Sequence, residues 1–191
     1  MENLQYILLA LMLLLFPARS GNAEPWEEVP GQIVSDFELT CADGSRFCLS
    51  EALKEKELAV ICLFGSGCGA CQKELAALNK AYQLYQEQVT VIGLSLDRTY
   101  DTNEALAAFA QEHHIAFQLG QDPARMARFM KINTYPAFMI VDTDRIVLHV
   151  EVNGPASIDH FSELFDTFLG QTTDLQNTCT EDSCPIPAGE S

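Results

Sequence analysis

The chain has 191 residues, 48% of them hydrophobic, which suits one packed domain with ends and excludes a chain too polar to fold. With 27 acidic against 11 basic residues, its formal net charge of −16 repels nucleic acid and anionic lipid. That charge fits a soluble, self-repelling surface, with a basic protein partner as the other reading.

Residues 1–23 read as a targeting segment. The run "YILLALMLLLF" gives 11 apolar residues, fewer than the ~20 a membrane span needs. "ARS" and "GNA" after it resemble small-residue cleavage sites. "MENLQ" before it has no Lys or Arg, so a retained membrane anchor stays open beside a cleaved signal peptide. No cysteine lies near the cleavage region, which argues against a lipid-anchored lipoprotein. Either way an extracytoplasmic location is expected, the bacterial periplasm or outside the cell, where disulfides persist. The seven cysteines are an odd number, so at least one is unpaired or pairs between molecules.

After the polar lead-in "EPWEEVPGQ", the stretch "DFELTCADGSRFCLSEAL" reads as a hairpin turning at Asp43-Gly44. "LAVICLF" is a continuous apolar run, as expected of a strand buried on both faces. From Cys68 to about Gln86, Leu75, Leu78, Tyr82 and Tyr85 recur at helical spacing. "VTVIGLSL" is the next buried strand. "TNEALAAFAQEHH" is a helix capped by Asp101 or Thr102, and "IAFQLG" a short strand. "DPARMARFMKI" starts another helix. "PAFMIVD" and "RIVLHVEV" are strands joined at "DTDR". Ser157 caps a last helix that Gly170 should end, leaving a polar tail, 171–191, with Cys179 and Cys184. The order predicts a mixed central sheet with helices on both faces.

Cys68 and Cys71 stand two residues apart in "LFGSGCGACQKE", where the buried strand meets the helix. A reactive thiol must ionise, and free amides and the dipole at a helix start favour the anion. Cys68 is therefore the expected nucleophile. Cys71, one turn in, is the expected resolving thiol. Glu74, one turn beyond Cys71 on the same face, is placed either to move protons during exchange or to be a solvated carboxylate. A structural zinc site needs four ligands. The other close cysteine pair has wider spacing and lies in the tail, so no metal is expected. His113, His114, His149 and His160 show no ligand spacing with one another and read as surface or packing residues.

Pro136, in "NTYPAFMIV", opens a strand about 65 residues after the cysteine pair. With these motifs in view, the chain resembles the thioredoxin-fold thiol–disulfide oxidoreductases of the TlpA/ResA-like group, from about Val29 to Gly170. Asp36-Phe37, Leu39, Asp43-Gly44 and Leu49-Ser50 resemble that group's N-terminal hairpin. "CGAC" resembles its redox motif, Glu74 its usual acid, "LSLD" the strand before its inserted helix, and "TYPAFMIVD" its cis-proline loop. The resemblance implies a thioredoxin-like domain over residues 24–170, a cis Tyr135–Pro136 bond beside the cysteines, and a Tyr135 that touches substrate or simply packs. It further implies protein thiols and disulfides as partners, a membrane electron donor of the disulfide-reducing pathway, no cofactor and a monomer. A reductant is favoured over an oxidant. The chain departs from the group at Gly67, where Trp is usual, at Ala76, where Pro is common, and at Cys62, where related proteins place a polar residue or a buried Asp. These changes bear on redox potential and partner surface, not on the thiol chemistry.

The alternatives are a peroxiredoxin-like peroxidase and a non-catalytic thioredoxin-fold binding module. The peroxidase usually has Pro-x-x-x-Thr-x-x-Cys, and "FGSGC" supplies neither the Pro nor the Thr. Pairing the remaining cysteines by proximity predicts disulfides Cys41–Cys48 and Cys179–Cys184, with Cys62 left free as a small buried hydrophobe. The hairpin bridge requires a four-residue loop from Asp43 to Arg46. A cross-link such as Cys41 to Cys179 is the rival.

Overall fold

A computed structural model of the chain describes residues 24–123 and 126–178. Its elements are β1 (Glu38–Thr40), β2 (Arg46–Cys48), α1 (Leu49–Glu55), β3 (Leu58–Phe64), α2 (Gly69–Tyr85), β4 (Val89–Ser95), α3 (Asn103–Glu112), β5 (Gln118–Gln121), α4 (Met126–Phe129), β6 (Ala137–Val141), β7 (Val147–Val152) and α5 (Ile158–Thr178), after a short 3-10 turn at Pro25–Glu28. The predicted signal segment and the Cys179–Cys184 pair lie outside the described residues. Among the described residues, no helix is long and apolar enough to cross a membrane.

β3 has no polar alternation because it has no wet face. It is the middle strand of a five-stranded sheet ordered β5-β4-β3-β6-β7. Its Leu58, Val60, Cys62 and Phe64 point into a core shared with α2, α3 and α5. Its Ala59, Ile61 and Leu63 point into a second core with the hairpin, α1 and α4. β4 and β5 run parallel to β3, β6 runs antiparallel to it, and β7 turns back antiparallel to β6. A mixed sheet with helices on both faces and a separate hairpin is the architecture the sequence predicts.

The N-terminal segment covers both sheet edges. At one edge Ala42 N–H donates to Leu119 O (2.8 Å), seating the hairpin on β5. Gly120 lies so near this hairpin that a side chain there would meet Leu39 Cδ1 at 2.2 Å. At the other edge Gly31 and Val34 donate to Val147 and Arg145. Contacts of this kind blunt part of each edge strand.

Several local expectations are corrected. The hairpin loop is three residues long, not four. Gly44 N–H donates to Cys41 O and Cys41 N–H to Ser45 O, and Gly44 takes the left-handed φ of 83°, a type I turn followed by a bulge. Glu38 therefore pairs with Cys48 and Thr40 with Arg46. Cys41 and Cys48 fall on opposite faces of the ribbon, and no Cys41–Cys48 disulfide exists. Both are free thiols, as is Cys62. Cys41 is buried in the second core, and burial pushes its thiol pKa up. Cys48 points outward, its Sγ 3.9 Å from the Asp36 carboxylate.

The stretch after β2 coils into α1, because Leu49, Ala52 and Leu53 form an apolar stripe at helical spacing. Asp36 fixes its first turn, accepting from Ser50 N–H (3.0 Å) and Ser50 Oγ–H (2.6 Å). Thr102, not Asp101, caps α3, its Oγ1 accepting from Ala105 N–H (3.2 Å). α4 ends at Phe129, three residues before the end of "DPARMARFMKI". α5 does not stop at Gly170 but runs to Thr178. A glycine inside a helix costs only about 1 kcal/mol relative to alanine.

Candidate active site

The site lies where β3 gives way to α2. Cys68 is the N-cap of α2, with extended backbone (φ −92°, ψ 108°). Its Sγ accepts a hydrogen bond from Cys71 N–H at 3.1 Å, the capping role usually taken by Ser or Asp. Cys68 and Cys71 are joined as a disulfide, their Cα atoms 5.2 Å apart. Cys68 is half-buried and Cys71 is 0% exposed. Of the two sulfur-bearing residues, Cys68 alone is open to solvent. When the bond opens, the amide that now caps Cys68 is placed to stabilise its thiolate, together with the helix dipole.

A buried carboxylate pins the loop ahead of Cys68. Asp101 is 1% exposed and accepts from Ser66 N–H (3.0 Å), Ser66 Oγ–H and Ser95 Oγ–H. Gln72 Nε2–H donates to Ser66 O (2.8 Å) from the first turn of α2. Cys68 N–H donates to Gly65 O (3.0 Å). The sequence suggested Asp101 only as a helix cap. Its grip on Ser66, 35 residues away, arises only in the fold.

The Tyr135–Pro136 peptide is cis. Pro136 is buried and Tyr135 half-buried. The Tyr135 ring lies over Gly65, where an added Cβ would approach it to 3.2 Å. Gly65 is thus the residue that lets the proline loop close onto the cysteine loop. Tyr135 and Cys68 both pack on the rim of the same core.

Glu74 is not solvated. It is 1% exposed, and the Cys62 thiol donates to its Oε1 at 3.9 Å. Burial first, and the charge of Glu151 second, push its pKa from 4.5 to about 7. Burial likewise raises the Cys62 thiol well above its usual value, aided by Glu74. Glu74 thus changes charge near neutrality, where an acid–base group is most useful.

Two of the four histidines pack against aromatic rings and also meet a carboxylate. His149 Nε2 lies 3.1 Å from Glu151 Oε2, and His160 Nε2 lies 2.9 Å from the same oxygen. His113 packs on Phe109, ring centres 4.3 Å apart, and His114 ends α3 with a positive φ of 52°. Among the described residues no group of His, Cys, Asp and Glu could hold a metal ion.

Comparison with known proteins places the family and the fold. The family model described as "AhpC/TSA family" matches residues 30–150. A thioredoxin-family thiol:disulfide interchange protein from Chlorobium tepidum is 20% identical, with TM-score 0.64, over 74% of this chain and 97% of that one. The peroxidoxin BcpB of Mycobacterium tuberculosis is 21% identical, with TM-score 0.61, over 74% and 96%. The thioredoxin domain of a thiol-disulfide oxidoreductase from Bacteroides vulgatus is 19% identical, with TM-score 0.58, over 71% and 96%. At these identities the likeness establishes the thioredoxin-like fold. No curated protein matches the sequence.

Proposed function

We infer that this chain, which belongs to the AhpC/TSA family, is a dithiol–disulfide oxidoreductase that reduces disulfides in protein substrates outside the cytoplasm. The observation that carries the reading is the pairing of a half-exposed Cys68, capped by a backbone amide, with a fully buried Cys71. That asymmetry suits an attacking and a resolving thiol, and a merely structural staple has no need of it.

In the reduced protein the Cys68 thiolate attacks one sulfur of the substrate disulfide. A mixed disulfide forms, and the first substrate sulfur leaves as a thiolate that takes a proton from water. Cys71 then gives its proton to the Glu74 carboxylate and attacks Cys68 Sγ. The second substrate sulfur leaves and is protonated in turn. Two electrons pass to the substrate, and the protein is left with the Cys68–Cys71 disulfide seen in the structure. A dithiol donor must reduce that bond for the next cycle. We assign the donor to a membrane protein of the disulfide-reducing pathway, on the strength of the sequence resemblance. Tyr135 and cis-Pro136 form the edge against which a substrate strand would lie.

The apolar run of residues 6–16 supports export. The peroxidase reading draws on the family and on the BcpB likeness. Against it, Ile61 and Gly65 stand where a peroxidatic site ending at Cys68 would have the Pro and the Thr. Insulin reduction with dithiothreitol, run beside hydroperoxide consumption, tests the assignment. Expected is catalysed insulin reduction, lost in C68S, with no catalysed peroxide loss. Peroxide turnover without insulin reduction would replace this reading with the peroxidase.

A further inference from the structure

The sheet face beneath α2 and α5 carries an acidic group that the exchange cycle has not used. Cys62 on β3 pairs with Phe138 on β6, and Phe138 pairs with Glu151 on β7. The three side chains therefore form one row across the sheet. Glu74 comes down on the Cys62 end of that row from α2. His160 comes down on the Glu151 end from the first turn of α5, and His149 flanks Glu151 from two residues away on β7. Phe138 lies against His149 (5.9 Å), and Phe161 against His160 (5.8 Å). Glu151 keeps 17% side-chain exposure, His149 29% and His160 22%. Gly154 is fitted to this carboxylate, since a Cβ there would sit 1.4 Å from Glu151 Oε1.

We propose that Glu151, held between His149 and His160, is a second carboxylate of the redox site and controls, through Glu74, when Cys71 can lose its proton. This rests on the oxidoreductase reading above. The groups facing Glu151 are His149 on its own strand, His160 on α5, Glu74 on α2 and, beyond Glu74, Cys62 on β3. Burial first, and the Glu151 charge second, disfavour a charge at Glu74, so Glu74 keeps its proton up to about neutral pH. Glu151 touches no reacting atom and is a positioning residue, acting on charge.

The test titrates Glu74 directly, by carboxyl-carbon NMR on the full oxidised chain, in the wild type, E151Q and G154A. Glutamine keeps the shape and loses the charge. Alanine at position 154 removes no titratable group and pushes the Glu151 carboxylate away. Beside it, single-turnover release of glutathione from the Cys68 mixed disulfide is followed against pH. Expected is a fall in the Glu74 midpoint of about half a unit or more in both variants, with the pH profile of glutathione release moving equally. An unmoved midpoint in E151Q and G154A overturns the proposal. So does a moved midpoint with an unmoved release profile. A wild type inert toward glutathione disulfide overturns the oxidoreductase reading itself, and this appears before any variant is made.

Discussion

Replacing Glu74 with glutamine should stabilise the oxidised protein at pH 8 and change its stability little at pH 4. Glu74 is 1% exposed, and its pKa rises from 4.5 to about 7 on folding, first through burial. The unfolded chain therefore ionises this side chain before the folded chain does. Its contribution is fully favourable below the unfolded value and is lost as pH rises through about 7. A shift of two and a half units corresponds to about 3 kcal/mol between the charge states. The penalty is below about 1 kcal/mol at pH 5 and about 3 kcal/mol at pH 8. Glutamine fills the same volume and keeps an oxygen for the Cys62 thiol, now 3.9 Å from Glu74 Oε1. Urea unfolding of the disulfide form at pH 5 and pH 8, wild type against E74Q, reads the difference. E74Q should gain about 2 kcal/mol more at the higher pH. Equal differences at the two pH values would refute the buried, late-ionising carboxylate, and with it the proton step assigned to Glu74.

Alkylating the reduced protein at mildly acidic pH should modify Cys68 well before Cys71, because Cys68 is the half-exposed helix cap; peptide mapping that finds Cys71 modified first reverses the two roles. D101A should cost roughly 2–4 kcal/mol in thermal or urea unfolding and slow exchange, because Ser66 N–H, Ser66 Oγ–H and Ser95 Oγ–H lose a buried acceptor. G65A should lower insulin-reduction activity and cost about 1–3 kcal/mol, since the added methyl crowds the Tyr135 ring at 3.2 Å. In the native oxidised protein Cys48 should label with maleimide while Cys41 labels only on unfolding; a mapped Cys41–Cys48 peptide would contradict the hairpin register.

The parts of this fold legible in the sequence are those whose signal is local. β3 announces itself because a strand buried on both faces has no polar positions. The cysteine pair points to the start of α2 because a helix N-terminus favours a thiolate. The hairpin was visible through Asp43-Gly44, but its register turned on one residue of loop length, and that residue decided which face Cys41 and Cys48 occupy. α1 was hidden because seven residues with one apolar stripe read equally as the end of a hairpin. The acid–base side of the site was least legible. Glu74 is an ordinary helix carboxylate until Cys62 and the sheet cover it. Glu151 and His160 meet across a strand-to-helix connection, and no spacing rule foretells two rings on one carboxylate.

The reduction potential of the Cys68–Cys71 couple tests the central claim most directly. Thiol trapping of the protein equilibrated across a series of dithiothreitol and glutathione ratios gives the value. The account predicts a single two-electron transition, absent in C68S, with a midpoint nearer ~−270 mV than ~−120 mV. A midpoint near ~−120 mV would make the chain an oxidant. A Cys68–Cys71 bond that stays closed under all such ratios would make it a staple, contradicting the account outright.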